Sequence, residues 1–320
     1  MKIFVTRKIP NRGIEMLRSA GHEIVISPHD RVLTPDELIS GGTGADAVLA
    51  QLTDKVTRDV LAAWKPSVRI IANYAVGYDN IDVAAAKELG IVVTNTPDVL
   101  TETVAEHAFA LMLSIAHRVV EADKFMRAGK YIGWEPELLL GTDLSHKTLG
   151  ILGLGRIGSL VAHHGAKGFN MRVLYYDVKR NENFEKEIEA QFRETPEAVL
   201  KEADFISIHV PLLPTTKHLI NAERLRMMKP TAYLVNTSRG PIVDEHALAE
   251  ALRDKVIKGA ALDVFENEPA MDPTLKDLDN VIVTPHIASA TEDTRQKMGE
   301  VAAKNIIAVL ENKAPANPVQ

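Results

Sequence analysis

Short apolar runs alternate with amphipathic stretches along most of this 320-residue chain, and the alternation occurs twice. The first series runs through "IFVT", "HEIVIS", "ADAVLA", "VRIIANY" and "IVVTN", with helix-like segments such as "RGIEMLRSAG" and "DVAAAKELG" between them. Strands of this kind joined by helices form parallel sheets with helices on their faces. Gly21 and Gly90 stand where helices should end, and Thr34 before Pro35 marks a helix start. A second series opens at "TLGILGLG" and continues through "RVLYYD", "DFISIHV", "AYLVNTS", "GAALDV" and "NVIVTP". Between the two, "TETVAEHAFALMLSIAHRVVEADKFMRAGK" reads as one long helical bridge, followed by an irregular excursion that contains Trp134. Residues 1–99 plus 289–320 are expected to form one α/β domain and residues 100–288 the other, with the active site in the cleft between them.

Composition removes several kinds of chemistry. With no cysteine there is no disulfide scaffold, thiolate metal site or cysteine nucleophile. Lys and Arg number 37 against 43 Asp and Glu, and no basic block offers a surface for nucleic acid. No apolar run reaches the roughly 18 residues needed to span a bilayer, and the start lacks a secretory h-region. No membrane or nucleic-acid partner is expected, and the cytoplasm is the expected location. Neither HExxH nor a loop of clustered oxygen ligands is present, so no metal is expected. The adjacent His163 and His164 cannot both face one ion.

"TLGILGLGRIGSLVAHHGAKG" places Gly153, Gly155 and Gly158 in GxGxxG spacing, after a strand and at the start of a helix. The first glycine permits a tight turn, the second lets backbone approach a pyrophosphate, and the third allows close packing. Backbone N–H groups at the helix start, some of them supplied by Arg156 or Ile157, are then expected to bind the anion. Glycine turns before helices also occur without ligands, so the stronger signal is Asp177, which ends the next strand and can accept from a ribose diol. Together these features predict a Rossmann domain that binds a dinucleotide. NAD(H) is favoured because Asp177 repels a 2'-phosphate, and Lys179 and Arg180 leave NADP(H) open.

Three polar residues follow later strands: Arg239, Glu268 and His286. An open α/β sheet binds ligands beyond the carboxyl ends of its strands, where such residues can converge. Arg239 offers a fork of donors for a carboxylate, His286 can deliver or remove a proton, and Glu268 can hold the imidazole. Each also has an ordinary reading as a surface charge or loop residue. As a set they suit hydride exchange between a nicotinamide and a small anionic 2-oxo or 2-hydroxy acid.

"GLGRIG", "VNTSRGPIVDEHAL", "GAALDVFENEP" and "TPHIASAT" resemble consecutive signature segments of the D-isomer-specific 2-hydroxyacid dehydrogenase family, and nearly the whole chain follows its order. The resemblance implies a flavodoxin-like substrate domain and a Rossmann domain. It assigns substrate binding to Arg239, acid/base catalysis to His286 and pairing with that histidine to Glu268. It further implies that backbone around Val76 and Gly77 faces the substrate carboxylate, and that Val210, Pro211, Thr237 and Asp263 lie on the nicotinamide side. Asp263 could instead be a buried cap. Val104 and Ala288 depart from the family pattern, which commonly has threonine and glycine there. The stretch around Trp134 is similar to glyoxylate and hydroxypyruvate reductases, where such a residue can reach a partner's active-site mouth, so a homodimer is expected. Phosphite and phosphoglycerate dehydrogenases and an NAD-responsive corepressor are the alternatives; the phosphite branch is expected to carry a lysine where this chain has Val76.

Overall fold

The computed structural model describes residues 1–319, and the chain divides into two compact units: Met1–Leu100 together with residues from Ser289 onward, and Thr101–Ala288. In the first unit β1 (Lys2–Val5), β2 (Glu23–Ile26), β3 (Ala47–Ala50), β4 (Ile70–Asn73) and β5 (Val92–Thr94) form one parallel sheet in the order β2-β1-β3-β4-β5. This is the flavodoxin-like order. β3 and β4 are buried along their whole length, as parallel strands covered on both faces must be.

The local signals act where the sequence places them. Thr34 accepts from the Glu37 amide while Glu37 accepts from the Thr34 amide, a capping box that starts the helix Pro35–Gly42. Gly21 and Gly90 adopt left-handed conformations just beyond helices Asn11–Ser19 and Val83–Glu88. The long helix Glu292–Leu310 packs against Asn11–Ser19 and β4. Its crossing with Asn11–Ser19 requires Gly13, because a Cβ there would lie 2.4 Å from the Gly299 carbonyl oxygen. Arg69 binds the carbonyls of Val309 (2.7 Å) and Leu310 (3.3 Å), satisfying acceptors that a helix end leaves open.

The second unit contains β6 (Thr148–Leu152), β7 (Arg172–Tyr176), β8 (Gln191–Phe192), β9 (Phe205–Ile208), β10 (Tyr233–Asn236), β11 (Gly259–Leu262) and β12 (Val281–Val283). All are parallel, in the order β12-β11-β10-β9-β6-β7-β8. This is the Rossmann order with one added strand, and it reverses between β6 and β9. The short edge strand β8 has no counterpart in the sequence reading, since two residues carry no periodicity.

The expected single helical bridge is two helices, Thr101–Ala116 and Val119–Arg127. The break falls at Arg118, left-handed with φ 55° and held by two hydrogen bonds to Glu121. The Thr142 amide returns to donate to the Ala116 carbonyl, taking an acceptor that a continuous helix would have used. Ala105, Ala108, Phe109 and Met112 of the first helix pack with Leu149, Ile151 and Val161 in one core cluster. The second helix buries none of its residues.

Candidate active site

Four adjacent strands, β9 to β12, direct their carboxyl ends to one side of the second unit's sheet. After β10 the fully buried Asn236 builds the turn that carries Arg239. Its Oδ1 accepts from the Ser238 amide and hydroxyl (3.0 and 2.9 Å), and its Nδ2 donates to the Arg239 carbonyl at 2.9 Å. The Arg239 guanidinium donates to the Ser238 carbonyl at 2.8 Å. Gly240 then lies directly on the loop after β11: a Cβ there would stand 1.9 Å from the Phe265 carbonyl carbon. The turn bearing Arg239 and the loop bearing Glu268 therefore touch backbone to backbone.

Glu268 and His286 meet in space. The His286 Nδ1 lies 3.0 Å from Glu268 Oε2, and Glu268 Oε1 accepts from the Phe265 amide at 3.0 Å. The two side chains are 28% and 26% exposed, so solvent reaches the pair without flooding it. Partial burial pushes the Glu268 carboxyl up. The hydrogen bond and charge of His286, the Phe265 amide and the Arg239 charge outweigh that and hold it below the ordinary glutamate value. With Nδ1 engaged by the carboxylate, Nε2 is the imidazole nitrogen left for a reacting group.

His286 is left-handed, with φ 54°, a conformation that side chains other than glycine hold only when their surroundings impose it. Asp263, with no solvent exposure, imposes it. Its carbonyl accepts the His286 amide (2.9 Å), Oδ1 accepts the Ile287 amide and the Thr284 hydroxyl (2.8 and 2.6 Å), and Oδ2 accepts the Ala288 amide (2.8 Å). Burial opposes the charge on Asp263, but these donors and His107 keep its carboxyl below the ordinary aspartate value. Within this geometry Asp263 acts as the buried cap.

A second layer backs the Glu268 loop. Glu266 Oε1 lies 2.7 Å from His218 Nε2, and the buried Glu245 accepts the amides of Glu266 (2.7 Å) and Asp272. Sequence reasoning missed Asn236, Gly240, Glu245 and the His218–Glu266 pair. Only Gly240 carried a local signal, a glycine immediately after the candidate arginine.

The nucleotide end fits a dinucleotide. Gly153 is left-handed (φ 95°) and a Cβ would come within 2.8 Å of the His209 and Val210 backbone. At Gly158 a Cβ would meet the Gly153 carbonyl oxygen at 2.0 Å, whereas at Gly155 it would meet nothing within 4 Å. Two glycines thus close the turn and the third leaves an approach open. The helix Arg156–Phe169 has no side-chain cap and no acid in its first turn, so amides around Arg156 and Ile157 are suited to an anion. Asp177 follows β7; its Oδ2 accepts from the Leu154 amide at 2.6 Å and its Oδ1 more loosely from Lys179 at 3.2 Å, which leaves acceptor capacity for a diol. Arg180 is bound through two nitrogens to Glu185 (2.9 and 2.8 Å), which draws it away from any 2'-phosphate. Val210 and Pro211 follow β9 beside Gly153, and the buried Thr237 Oγ1 has no protein partner, as a hydroxyl reserved for a ligand would.

In the first unit the Val76 and Gly77 carbonyls accept from Asn95 Nδ2 (2.7 Å) and Asn73 Nδ2 (2.8 Å), which fixes that loop. Trp134 lies outside the catalytic group on the excursion after Arg127 and is 81% exposed. Val104 and Ala288 are buried. Among the described residues no cluster of His, Asp or Glu could hold a metal ion, and no helix is long and apolar enough to cross a membrane.

Residues 109–288 match the family model described as "D-isomer specific 2-hydroxyacid dehydrogenase, NAD binding domain". The chain is 48% identical to the glyoxylate reductase of Pyrococcus furiosus, across 98% of this chain and 94% of that protein. A solved structure of a Thermus thermophilus protein superposes with a TM-score of 0.94 at 43% identity, covering 100% of both chains. The NADPH-dependent glyoxylate/hydroxypyruvate reductase of Sinorhizobium meliloti, solved with NADP and malonate, gives a TM-score of 0.86 at 33% identity over 99% of this chain and 96% of that one.

Proposed function

Because the chain belongs to the D-isomer specific 2-hydroxyacid dehydrogenase family, we propose that it reduces a small 2-oxo acid, glyoxylate or hydroxypyruvate, to the corresponding 2-hydroxy acid, of D configuration where the product is chiral. NADH is the favoured donor and NADPH is also accepted. The observation that carries this reading is the His286–Glu268 pair at 3.0 Å, beside the turn that holds Arg239. Gly153–Gly158 would hold the pyrophosphate of NAD(P)H and Asp177 its adenosine ribose, and the bound cofactor would supply the hydride. Arg239 holds the substrate carboxylate and polarises the neighbouring carbonyl, and the Val76 and Gly77 amides are assigned to the same carboxylate. As negative charge develops on the carbonyl oxygen, His286 gives it a proton from Nε2, and Glu268 steadies the cationic imidazole that precedes the transfer. In the reverse direction the neutral imidazole removes the hydroxyl proton. Thr237, Val210 and Pro211 are assigned to the nicotinamide side, with Asp263 acting there through the loop it holds.

We also assign the exposed apolar side chains of the excursion to a homodimer contact. Tyr131, Ile132, Trp134 and Leu140 on the excursion and Met126 on the helix before it are each 47% or more exposed, and no residue of the helix Val119–Arg127 is fully buried. Trp134 is then placed to shape acid preference from a partner subunit. The cytoplasm is the proposed location.

The test is an absorbance assay of NADH and NADPH oxidation against glyoxylate, hydroxypyruvate, pyruvate and 3-phosphohydroxypyruvate, with phosphite plus NAD as the opposite direction. Turnover with glyoxylate or hydroxypyruvate and loss of it in His286→Asn are expected. Activity confined to phosphite, or normal turnover in His286→Asn, would refute the reading.

A further inference from the structure

The helix Thr101–Ala116 packs across β10, β11 and β12, and from it His107 reaches the loop that carries His286. Its Nε2 lies 3.4 Å from Thr284 Oγ1 and 3.6 Å from Asp263 Oδ1, and its side chain is 19% exposed. Counting protons fixes the direction of these contacts. A carboxylate only accepts, and the Thr284 hydroxyl spends its proton on Asp263 Oδ1 at 2.6 Å. Toward His107 the Thr284 oxygen is therefore an acceptor as well. The hydrogen must sit on His107 Nε2, where it is donated to Thr284 Oγ1 and faces the Asp263 carboxylate beyond it.

The carboxylate braced in this way is the one that takes the Ile287 and Ala288 amides, from a residue whose carbonyl takes the His286 amide. Those three amides set the left-handed turn and with it the direction of the His286 ring. Asp263 has no solvent contact, so no water can replace a missing donor without rearrangement. We propose that His107 is a positioning residue for proton transfer: its Nε2–H holds Asp263 against the 284–288 loop and thereby aims His286. The inference rests on the acid/base role proposed for His286.

Donor loss can be separated from loss of bulk with three variants: His107→Phe and His107→Met, which lack the donor, and His107→Gln, which keeps one. The donorless variants should lower kcat for glyoxylate by about tenfold or more, as a small misdirection of a catalytic group does. Their NADH dissociation constant, read by fluorescence, should stay within about twofold of wild type, and His107→Gln should recover most of the rate. In the NMR spectrum the His286 Hε1 resonance, assigned with His286→Asn, should move in the donorless variants and return in His107→Gln. An unmoved resonance with a wild-type rate in either folded donorless variant overturns the proposal. So does a His107→Gln variant that fails alongside them, since packing would then be the whole role. If the wild-type protein reduces no 2-oxo acid, the functional reading falls, while the resonance still decides whether His107 positions His286.

Discussion

At the scale of single residues, the Glu268 carboxyl ties turnover to pH in a definite direction. Its value is depressed below the ordinary 4.5, so its charge is present above that value and is lost only as pH falls through the lowered one. Reduction should therefore persist through the ordinary glutamate range and fail below it. Glu268→Gln, whose amide does not titrate, should lack that acid limb and lose on the order of tenfold to a hundredfold in kcat; kcat profiles of the two proteins check this. Gly240→Ala makes a second test. A methyl 1.9 Å from the Phe265 backbone must push the Arg239 turn away from the Glu268 loop, so kcat/KM should drop about a hundredfold while NADH still binds. Arg239, Glu268 and His286 could be picked out of the sequence because strand ends concentrate function and their chemistries complement one another. Asn236, Glu245 and His107 could not. Glu245 and His107 act across chain separations that no local spacing encodes, Asn236 bonds within its own turn without any distinguishing motif, and each alone looks like an ordinary buried or helical residue.

Among the elements, those with strong periodicity or explicit caps were readable from the amino acids. β1 to β5 fall on the apolar runs, and the Thr34 capping box starts its helix where Thr34 and Pro35 stand. The break between Ala116 and Val119 was hidden, because Arg118 is helix-tolerant by composition and its left-handed turn depends on Thr142 arriving from elsewhere in the chain. β8 was hidden because its two residues are ordered by pairing with Leu174 and Tyr175 rather than by propensity. The crossing of Asn11–Ser19 with Glu292–Leu310 gives a test at this scale. Gly13→Ala sets a methyl 2.4 Å from a carbonyl oxygen of the other helix, an overpacking that costs about 1–3 kcal/mol. The thermal midpoint should fall by several degrees, and an unchanged midpoint would mean that the helices separate freely.

For the whole molecule, the exposed excursion predicts behaviour in solution. Replacing Ile132 and Trp134, 91% and 81% exposed, with glutamate should convert a dimer to a folded monomer by analytical ultracentrifugation. An unaltered sedimentation coefficient would show that these side chains face no partner. Chain order has its own consequence, because the unit that begins at Met1 is completed only by the helix ending at Leu310. A ribosome making this protein delivers Gly13, β4 and Arg69 long before the helix that covers them. The first hundred residues must therefore wait, part of their apolar surface uncovered, while everything up to Ala288 emerges and can close on itself. The order of completion thus inverts the order of synthesis: the unit begun second is ready first.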